Sequence, residues 1–351
     1  MSWVQELARP DIVALEPYEH ASWEPSLERL HANELPWRPA GDDSRAGLNR
    51  YPEPQPRALV ECLAQLYAVT PASVLVGRGS DEAIDLLTRA FCRAGCDAVL
   101  VCPPTFGMYS VSARIQGAEV LPVPLLPNNG FALDEQALLD RCRSAVKLIF
   151  LCSPNNPTGN QLDEATILRI TRRLASRALV VIDEAYIEFA ARPSLAPLVS
   201  ELPNLAILRT LSKAHGLAGA RCGALIADPQ IIALLRKIIP PYAIPQLTLE
   251  AVLDRLTPAA RAESRARLEV LLGERERLLR ALPRLTGITR VWPSVANFVL
   301  AEFADAAASL ARAREARLLV RDARGYPGLG RALRITVGTP EQNGRLLEAW
   351  S

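Results

Sequence analysis

"VKLIFLCSPNNPTGNQLDEATILRITRRLASRALVVIDEA", residues 146–185, decides the fold. "VKLIFLCSP" reads as a buried strand stopped by a Pro- and Gly-containing turn. "DEATILRITRRLASR" reads as an amphipathic helix, and "ALVVIDEA" as a second buried strand. Working upstream, "PRALVECLAQLYAV" is a helix, "SVLVG" a strand and "DEAIDLLTRAFC" a helix. "AVLVCPP" is a strand, "FGMYSVSARIQG" a helix, "EVLPVPL" a strand and "LDEQALLDRCR" a helix. Downstream, "LAILRTLS" adds a strand. Short apolar strands alternating with amphipathic helices predict an α/β fold, a mostly parallel sheet covered by helices on both faces.

The pattern changes near residue 248. A long amphipathic helix, "PAARAESRARLEVLLGERERLLRALPRL", precedes "TRVWPSVANFVLAEF", "AASLARAREARLLVRD" and "ALRITVGT", which alternate strand and helix as a smaller α+β unit. Residues 1 to about 50 carry many prolines and read as an irregular arm. The expected division is an arm over 1–45 that contributes to the small unit and to a dimer, a large domain over 46–247 and a small domain over 248–351.

A chain of 351 residues, 49% apolar, can bury a sizeable core. Its formal net charge is +2 with no basic or acidic block, so charge implies neither nucleic acid nor a membrane surface, and the expected partners are small molecules. The N-terminus lacks the basic start and apolar run of a signal peptide, and no apolar stretch approaches the ~18 residues that span a bilayer. Seven cysteines in mostly apolar contexts read as buried thiols of a reducing cytoplasm. Three histidines give metal catalysis little support.

In open parallel sheets, ligands sit beyond the carboxyl ends of the strands. After "SVLVG" come Gly79, Ser80 and Asp81, where a permissive backbone, a hydroxyl and a helix N-terminus make a phosphate seat. After "AVLVC" comes Phe106 beside Gly107, a surface for stacking on a flat ring. After "VKLIFLC", the turn holding Asn156 offers a side-chain donor. Asp183 ends "ALVVID", where a buried carboxylate is costly unless a cation meets it, and Tyr186 follows. After "LAILRT" stand Ser212 and Lys213, with Arg221 close behind. Only three of the 40 basic side chains are lysines: Lys147, Lys213 and Lys237. Lysine can lose its proton and attack a carbonyl, and arginine cannot.

Each feature alone has an ordinary explanation as a helix cap, a core ring, a tight turn or a strand-end cap. Together they are what pyridoxal 5'-phosphate asks for: a phosphate seat, a ring to stack on, an acid for the pyridine nitrogen, donors for the phenolate oxygen and an amine for the aldehyde. A nicotinamide dehydrogenase is disfavoured because no G-x-G-x-x-G follows an early strand.

The stretches "NRYPEPQP", "VGRGSDEAIDLL", "CPPTFGMYSVSA", "CSPNNPTG", "VVIDEAYIEF", "ILRTLSKAHGLAGARCG" and "LRITVGT" carry a family resemblance. The chain resembles the fold-type I pyridoxal-phosphate-dependent aminotransferases, and within them the histidinol-phosphate aminotransferase family. The resemblance implies that Lys213 bonds covalently to the cofactor, that Asp183 pairs with its pyridine nitrogen, and that Asn156 and Tyr186 hold its phenolate oxygen. Ser212, Arg221, Gly79, Ser80 and Asp81 would form the phosphate cradle, with Phe106 in the stacking position. Tyr51 would reach the phosphate in a neighbouring subunit, so a homodimer with composite sites is implied. Arg334 would grip the carboxylate of glutamate, and Arg321 with Tyr18 would help hold a substrate phosphate. Arg334 also has its own argument, since alternation in "LRITV" sets it and Thr336 on the face opposite Leu333, Ile335 and Val337. The implied reaction is transamination between L-histidinol phosphate and 2-oxoglutarate. An aromatic amino acid aminotransferase and a phosphothreonine decarboxylase share most of these residues and stay open. His215 stands where the family more often has an aromatic, and a packing role is favoured for it over proton transfer.

Overall fold

The computed structural model describes residues 2–21, 24 and 26–351. Its larger sheet comprises β1 (Val74–Gly77), β2 (Ala98–Val101), β3 (Glu119–Pro122), β4 (Val146–Cys152), β5 (Leu179–Asp183), β6 (Leu205–Thr210) and β7 (Gly223–Ile226). The strand order is β1-β7-β6-β5-β4-β2-β3. Strands β2 to β6 pair in parallel, and β7 runs antiparallel to both of its neighbours, β1 and β6. The sequence reading finds every strand of this sheet except β7. That strand is four residues long, begins at a glycine and has no run long enough to stand out from the loop before it.

Alternation along the strands builds two cores, one on each face. On β5, Val180 and Ile182 join Val76, Leu100, Ile149 and Ile207 in one core. Leu179 and Val181 join Leu75, Val99, Phe150 and Leu208 in the other. Each such side chain taken fully from water stabilises the fold by roughly 1.5–3 kcal/mol. Buried on both faces, the strands read as unbroken apolar runs. Helix starts are fixed locally: Asp163 accepts from the Thr166 N–H at 2.8 Å and opens the helix Glu164–Arg173.

The arm is more ordered than its prolines suggest. Trp3–Leu7 and Pro10–Val13 are short helices, and Val4, Leu7 and Ala8 enter the second core. Lys237 Nζ donates to the Val13 carbonyl at 2.8 Å and the Arg9 N–H to the Ala90 carbonyl at 2.9 Å. Where the sequence reading gives the arm to the small unit, the structure anchors residues 3–13 on the large one. The reason is an apolar stripe in "WVQELA" that the later prolines overshadow.

The smaller sheet comprises β8 (Ile288–Val291), β9 (Phe298–Phe303), β10 (Arg321–Asp322) and β11 (Ala332–Thr336), in the order β10-β11-β9-β8 and antiparallel throughout. The stretch "TRVWPSVANFVLAEF" thus holds two strands, separated at Pro293, which cannot donate to a ladder. Leu333 and Ile335 enter this unit's core with Val299, Phe303 and Trp350, while Thr336 faces out, as the alternation requires. The helix Gln246–Arg255 places Val252 in a core of the large sheet, so the first unit's packing continues past residue 247. The units meet where Ala185, Tyr186 and Phe189 pack on Ala296 and Phe298. Among the described residues, no helix is long and apolar enough to cross a membrane.

Candidate active site

At this seam, beyond the carboxyl ends of β4, β5 and β6, lies a cleft of about 320 Å³. That volume suits a small organic ligand. Gly79, Ser80, Asp81, Phe106, Asn156, Asp183, Tyr186, Ser212, Lys213, Arg221, Arg321 and Arg334 all line it.

Asp183 forms the floor. It ends β5 in register with Cys152 of β4. Its Oδ1 accepts from the Ala185 N–H at 3.0 Å and its Oδ2 from the Tyr109 hydroxyl at 2.6 Å. No arginine or lysine bonds to it among the described residues. Burial therefore pushes its pKa up to about 6, against the opposing pull of the two hydrogen bonds and the more distant charge of Lys213. This is a buried acid that a cationic group in the cleft would complete.

The turn after β4 divides labour between its two asparagines. Asn155 is structural: its Nδ2 donates to the Pro104 carbonyl at 2.8 Å and its Oδ1 accepts from Thr105 Oγ1 at 2.9 Å. Asn156, fixed by that bracket, turns into the cleft. Its Nδ2 lies 3.4 Å from the Tyr186 hydroxyl, and its Oδ1 accepts from Arg334 Nη1. Phe106 crosses Tyr109 edge to face at a centroid distance of 5.6 Å, leaving a face of its own toward the cleft.

Lys213 follows β6 in a loop of small residues, and its Nζ stands 5.8 Å above the centre of the Tyr186 ring. Its pKa is lowered, first by partial desolvation, then by the Arg334 charge and with a smaller push from Arg221, against Asp81 and Asp183. A lysine so placed is more readily a neutral nucleophile.

The expected phosphate seat falls at the N-terminus of the helix Ser80–Phe91, where no side chain caps the free N–H groups. Gly79 enters it at φ +93°, and a Cβ there would lie 3.0 Å from Arg221 Nη2. Gly223 of β7 is required for a similar reason, because a Cβ would lie 2.9 Å from the Gly79 Cα. Arg221 itself is held at φ +53°, a costly conformation for arginine. Its guanidinium reaches Ser212 Oγ at 3.4 Å and Asp81 Oδ2 at 3.5 Å. Asp81 thus turns its carboxylate to Arg221 and leaves the helix N-terminus without a side-chain cap.

The small unit supplies the opposite wall. Arg321 of β10 and Arg334 of β11 are direct partners across the antiparallel ladder. Like charges placed opposite each other are unfavourable unless an anion meets them. Arg334 Nε is buried and bonds to no protein atom. An uncompensated acid, an uncapped helix end beside an arginine, a flat ring, a paired amide and phenol, and a lysine with weakened proton affinity fit pyridoxal phosphate. The two arginines are left over for a substrate's anionic groups.

Two expected residues stand apart. Tyr51 stacks on Tyr242 at 4.6 Å between centroids, and Tyr18 meets His20 edge to face at 5.5 Å. Both are exposed and neither lines this cleft. His215 also lies off the cleft, with Nε2 3.6 Å from Glu188. Glu188 accepts from Arg209 Nη2 at 2.7 Å, which ties the "DEAYIEF" loop to the strand leading to Lys213. Two further tyrosines, Tyr109 and Tyr326, are not singled out by the sequence pattern. Tyr109 lies in the helix after Phe106 and meets the cleft only through Asp183, and Tyr326, which lines the cleft, stands in the Gly- and Pro-rich turn between β10 and β11.

Comparison with known proteins decides the family. The family model for aminotransferase class I and II matches residues 29–349. A histidinol-phosphate aminotransferase of Stenotrophomonas maltophilia (strain R551-3) is 49% identical, covering 99% of this chain and 96% of its own. The one from Xylella fastidiosa (strain 9a5c) is 50% identical, covering 91% of this chain and 87% of its own. The chain belongs to the class I and II aminotransferases. Within that family it falls in the histidinol-phosphate aminotransferase group, and it is an enzyme. The crystal structure of histidinol-phosphate aminotransferase from Sinorhizobium meliloti in complex with pyridoxal-5'-phosphate superposes with a TM-score of 0.77 at 25% identity, covering 86% of this chain and 82% of that one. The fold is thus the α/β aminotransferase fold expected from the strand and helix order.

Proposed function

We propose that the protein is a pyridoxal-phosphate-dependent transaminase that converts L-histidinol phosphate and 2-oxoglutarate to imidazole acetol phosphate and L-glutamate, a step of histidine synthesis. The observation that carries this reading is the in-register pair Arg321 and Arg334 facing Lys213 across the cleft. One substrate pair carries a phosphate ester on the donor and two carboxylates on the acceptor. Two adjacent guanidiniums serve either anion in turn, because arginine binds carboxylate and phosphate in the same forked geometry. Arg334 takes the carboxylate of glutamate, and Arg321, with Tyr18, helps hold the phosphate.

Bound in the cleft, pyridoxal phosphate supplies an aldehyde that carries the amino group and a protonated pyridine that draws in electrons. Asp183 holds the proton on the ring nitrogen. Asn156 and Tyr186 donate to the phenolate oxygen, and Phe106 covers the ring. Ser212, Arg221 and the backbone of Gly79, Ser80 and Asp81 hold the phosphate. Lys213, whose Nζ lines the cleft with a weakened hold on its proton, would bond to the aldehyde and, when free, would serve as the base beside the substrate α-carbon. Packing of the small unit on Tyr186 walls off that side of the cleft.

The working form in this reading is a cytoplasmic homodimer, with Tyr51 reaching the partner's cofactor phosphate. The chain divides into the arm, the large domain that seats the cofactor and the small domain that supplies the arginines. The test is a panel of amino donors on purified protein: histidinol phosphate, phenylalanine, tyrosine, aspartate and phosphothreonine, each with 2-oxoglutarate. Histidinol phosphate is expected to give the highest kcat/KM, and borohydride to fix the cofactor on Lys213. Preference for phenylalanine, or carbon dioxide release from phosphothreonine, would overturn the assignment.

A further inference from the structure

The mechanism above makes no use of Tyr109, yet few side chains in the molecule are so firmly placed. Tyr109 begins the second residue of the helix Met108–Gln116 and is fully buried beneath the cleft. Its ring lies parallel to Phe150, 2° from coplanar with centroids 4.8 Å apart, and edge-on to Phe106. These contacts leave the hydroxyl one direction, toward Asp183 Oδ2 at 2.6 Å. An ionised carboxylate only accepts, so the hydroxyl donates. The neighbouring thiol of Cys152 gives its own hydrogen to the Pro154 carbonyl at 3.3 Å and does not compete for the carboxylate.

We infer that Tyr109 is a positioning residue for the reaction: its hydroxyl keeps Asp183 ionised and fixes one of its oxygens, so that the ring nitrogen of the cofactor stays protonated. This rests on the reading of Asp183 as the partner of that nitrogen. Asp183 has two protein donors, the Ala185 N–H on Oδ1 and Tyr109 on Oδ2. Burial alone drives the carboxyl toward its neutral form, and these donors oppose it. The other titratable groups facing Asp183 are Cys152 from β4, Tyr186 from the loop after β5, Lys213 from the loop after β6 and Asp81 from the helix Ser80–Phe91. None of them replaces a donor at 2.6 Å. Between Asp183 and the pyridine nitrogen one proton is shared. Loss of the Tyr109 hydroxyl makes the carboxyl the stronger base, so the proton moves from nitrogen to oxygen and the ring loses its pull on electrons.

The test uses full-length enzyme loaded with pyridoxal phosphate labelled with ¹⁵N in the ring. Tyr109→Phe keeps the ring and its stacking and removes only the donor. The wild-type nitrogen is expected at the protonated chemical shift from pH 6 to 9. In Tyr109→Phe it moves toward the neutral value, with a titration midpoint lower by about one pH unit or more, the size of a lost charge-assisted hydrogen bond. The variant's kcat falls more than KM changes. As a second variant, 3-fluorotyrosine at position 109, a stronger donor, is expected to move the midpoint the other way. Identical nitrogen shifts and pH courses in wild type and both variants would overturn the inference. A wild-type protein that binds no labelled cofactor would overturn the functional reading itself.

Discussion

Arg334 donates through Nη1 to the side-chain oxygen of Asn156. The bond crosses from the small unit to the large one and fixes which way the amide points. With its oxygen committed to Arg334, Asn156 turns its Nδ2 toward the Tyr186 hydroxyl, 3.4 Å away. One amide thereby orients the arginine of the small unit and pairs with a phenol of the large one. Neither residue is fixed by its own element alone, since Asn156 stands in a turn and Arg334 on a strand of the other sheet.

Replacing Arg334 with glutamine removes a forked cation from a half-buried wall. The KM for 2-oxoglutarate is expected to rise by about two orders of magnitude, within the 2–5 kcal/mol cost of breaking a desolvated charge pair. A second effect separates this from simple loss of binding. Arg334 is the largest charge lowering the Lys213 pKa. Without it the lysine keeps its proton to higher pH, so the midpoint for covalent capture of pyridoxal phosphate shifts upward. Stopped-flow absorbance across pH 6–10 measures that midpoint.

Asp183 predicts a pH dependence with a definite sign. Its folded pKa is about 6, against 3.8 for an ordinary aspartate. Below about pH 4 it is neutral in both the folded and unfolded chain and costs nothing. Between pH 4 and 6 the unfolded chain ionises first, and the cofactor-free fold loses stability. Above pH 6 the loss is complete, about 3 kcal/mol. A pyridinium beside the carboxylate offsets that loss. The rise in Tm on adding pyridoxal phosphate should therefore be larger at pH 7.5 than at pH 5. Asp183→Asn should raise the Tm of the cofactor-free protein at pH 7.5 and flatten the difference, as thermal denaturation at the two pH values will read.

Gly79→Ala tests the phosphate seat. At φ +93° any side chain is strained, and the new methyl would press on Arg221 Nη2. Relief of that strain shifts the turn and Arg221 away from the seat, so the dissociation constant for pyridoxal phosphate is expected to rise by about tenfold, within the roughly 1–3 kcal/mol that a Gly-only backbone region costs other residues. Pyridoxal, which has no phosphate, should bind the variant and the wild type alike. Equilibrium dialysis with both ligands separates the effects.

Much of this was legible in the sequence because each cofactor-side residue follows a buried strand. Asp183 ends β5, Lys213, Asn156 and Gly79 lie just beyond β6, β4 and β1, and strands running the same way bring those ends together. What depends on a cross-sheet contact was not legible. Tyr109 reaches Asp183 across 74 positions, and nothing in "FGMYSV" says which helix face meets the floor of the cleft. The seating of residues 3–13 on the large unit escaped for the opposite reason, a local stripe masked by the prolines that follow it. The antiparallel β7 was hidden by length, and with it the close approach of Gly223 to the cradle.

Tyr51 gives the last prediction. It is half exposed, stacked on Tyr242 and outside the cleft of its own chain. An aromatic so placed has a use if a second copy brings it to the other subunit's phosphate. Two inactive variants then complement each other. Lys213→Ala lacks the amine, and Tyr51→Ala weakens the phosphate seat it reaches. In a mixed dimer, the site built on the intact Lys213 of the second variant receives the intact Tyr51 of the first and is wholly wild-type. Mixing the two variants under exchange conditions should raise transaminase activity above either parent, toward a quarter of the wild-type value at equal amounts if exchange is random, an order-of-magnitude expectation from statistical pairing. Activity equal to the average of the parents would place Tyr51 outside the partner's site.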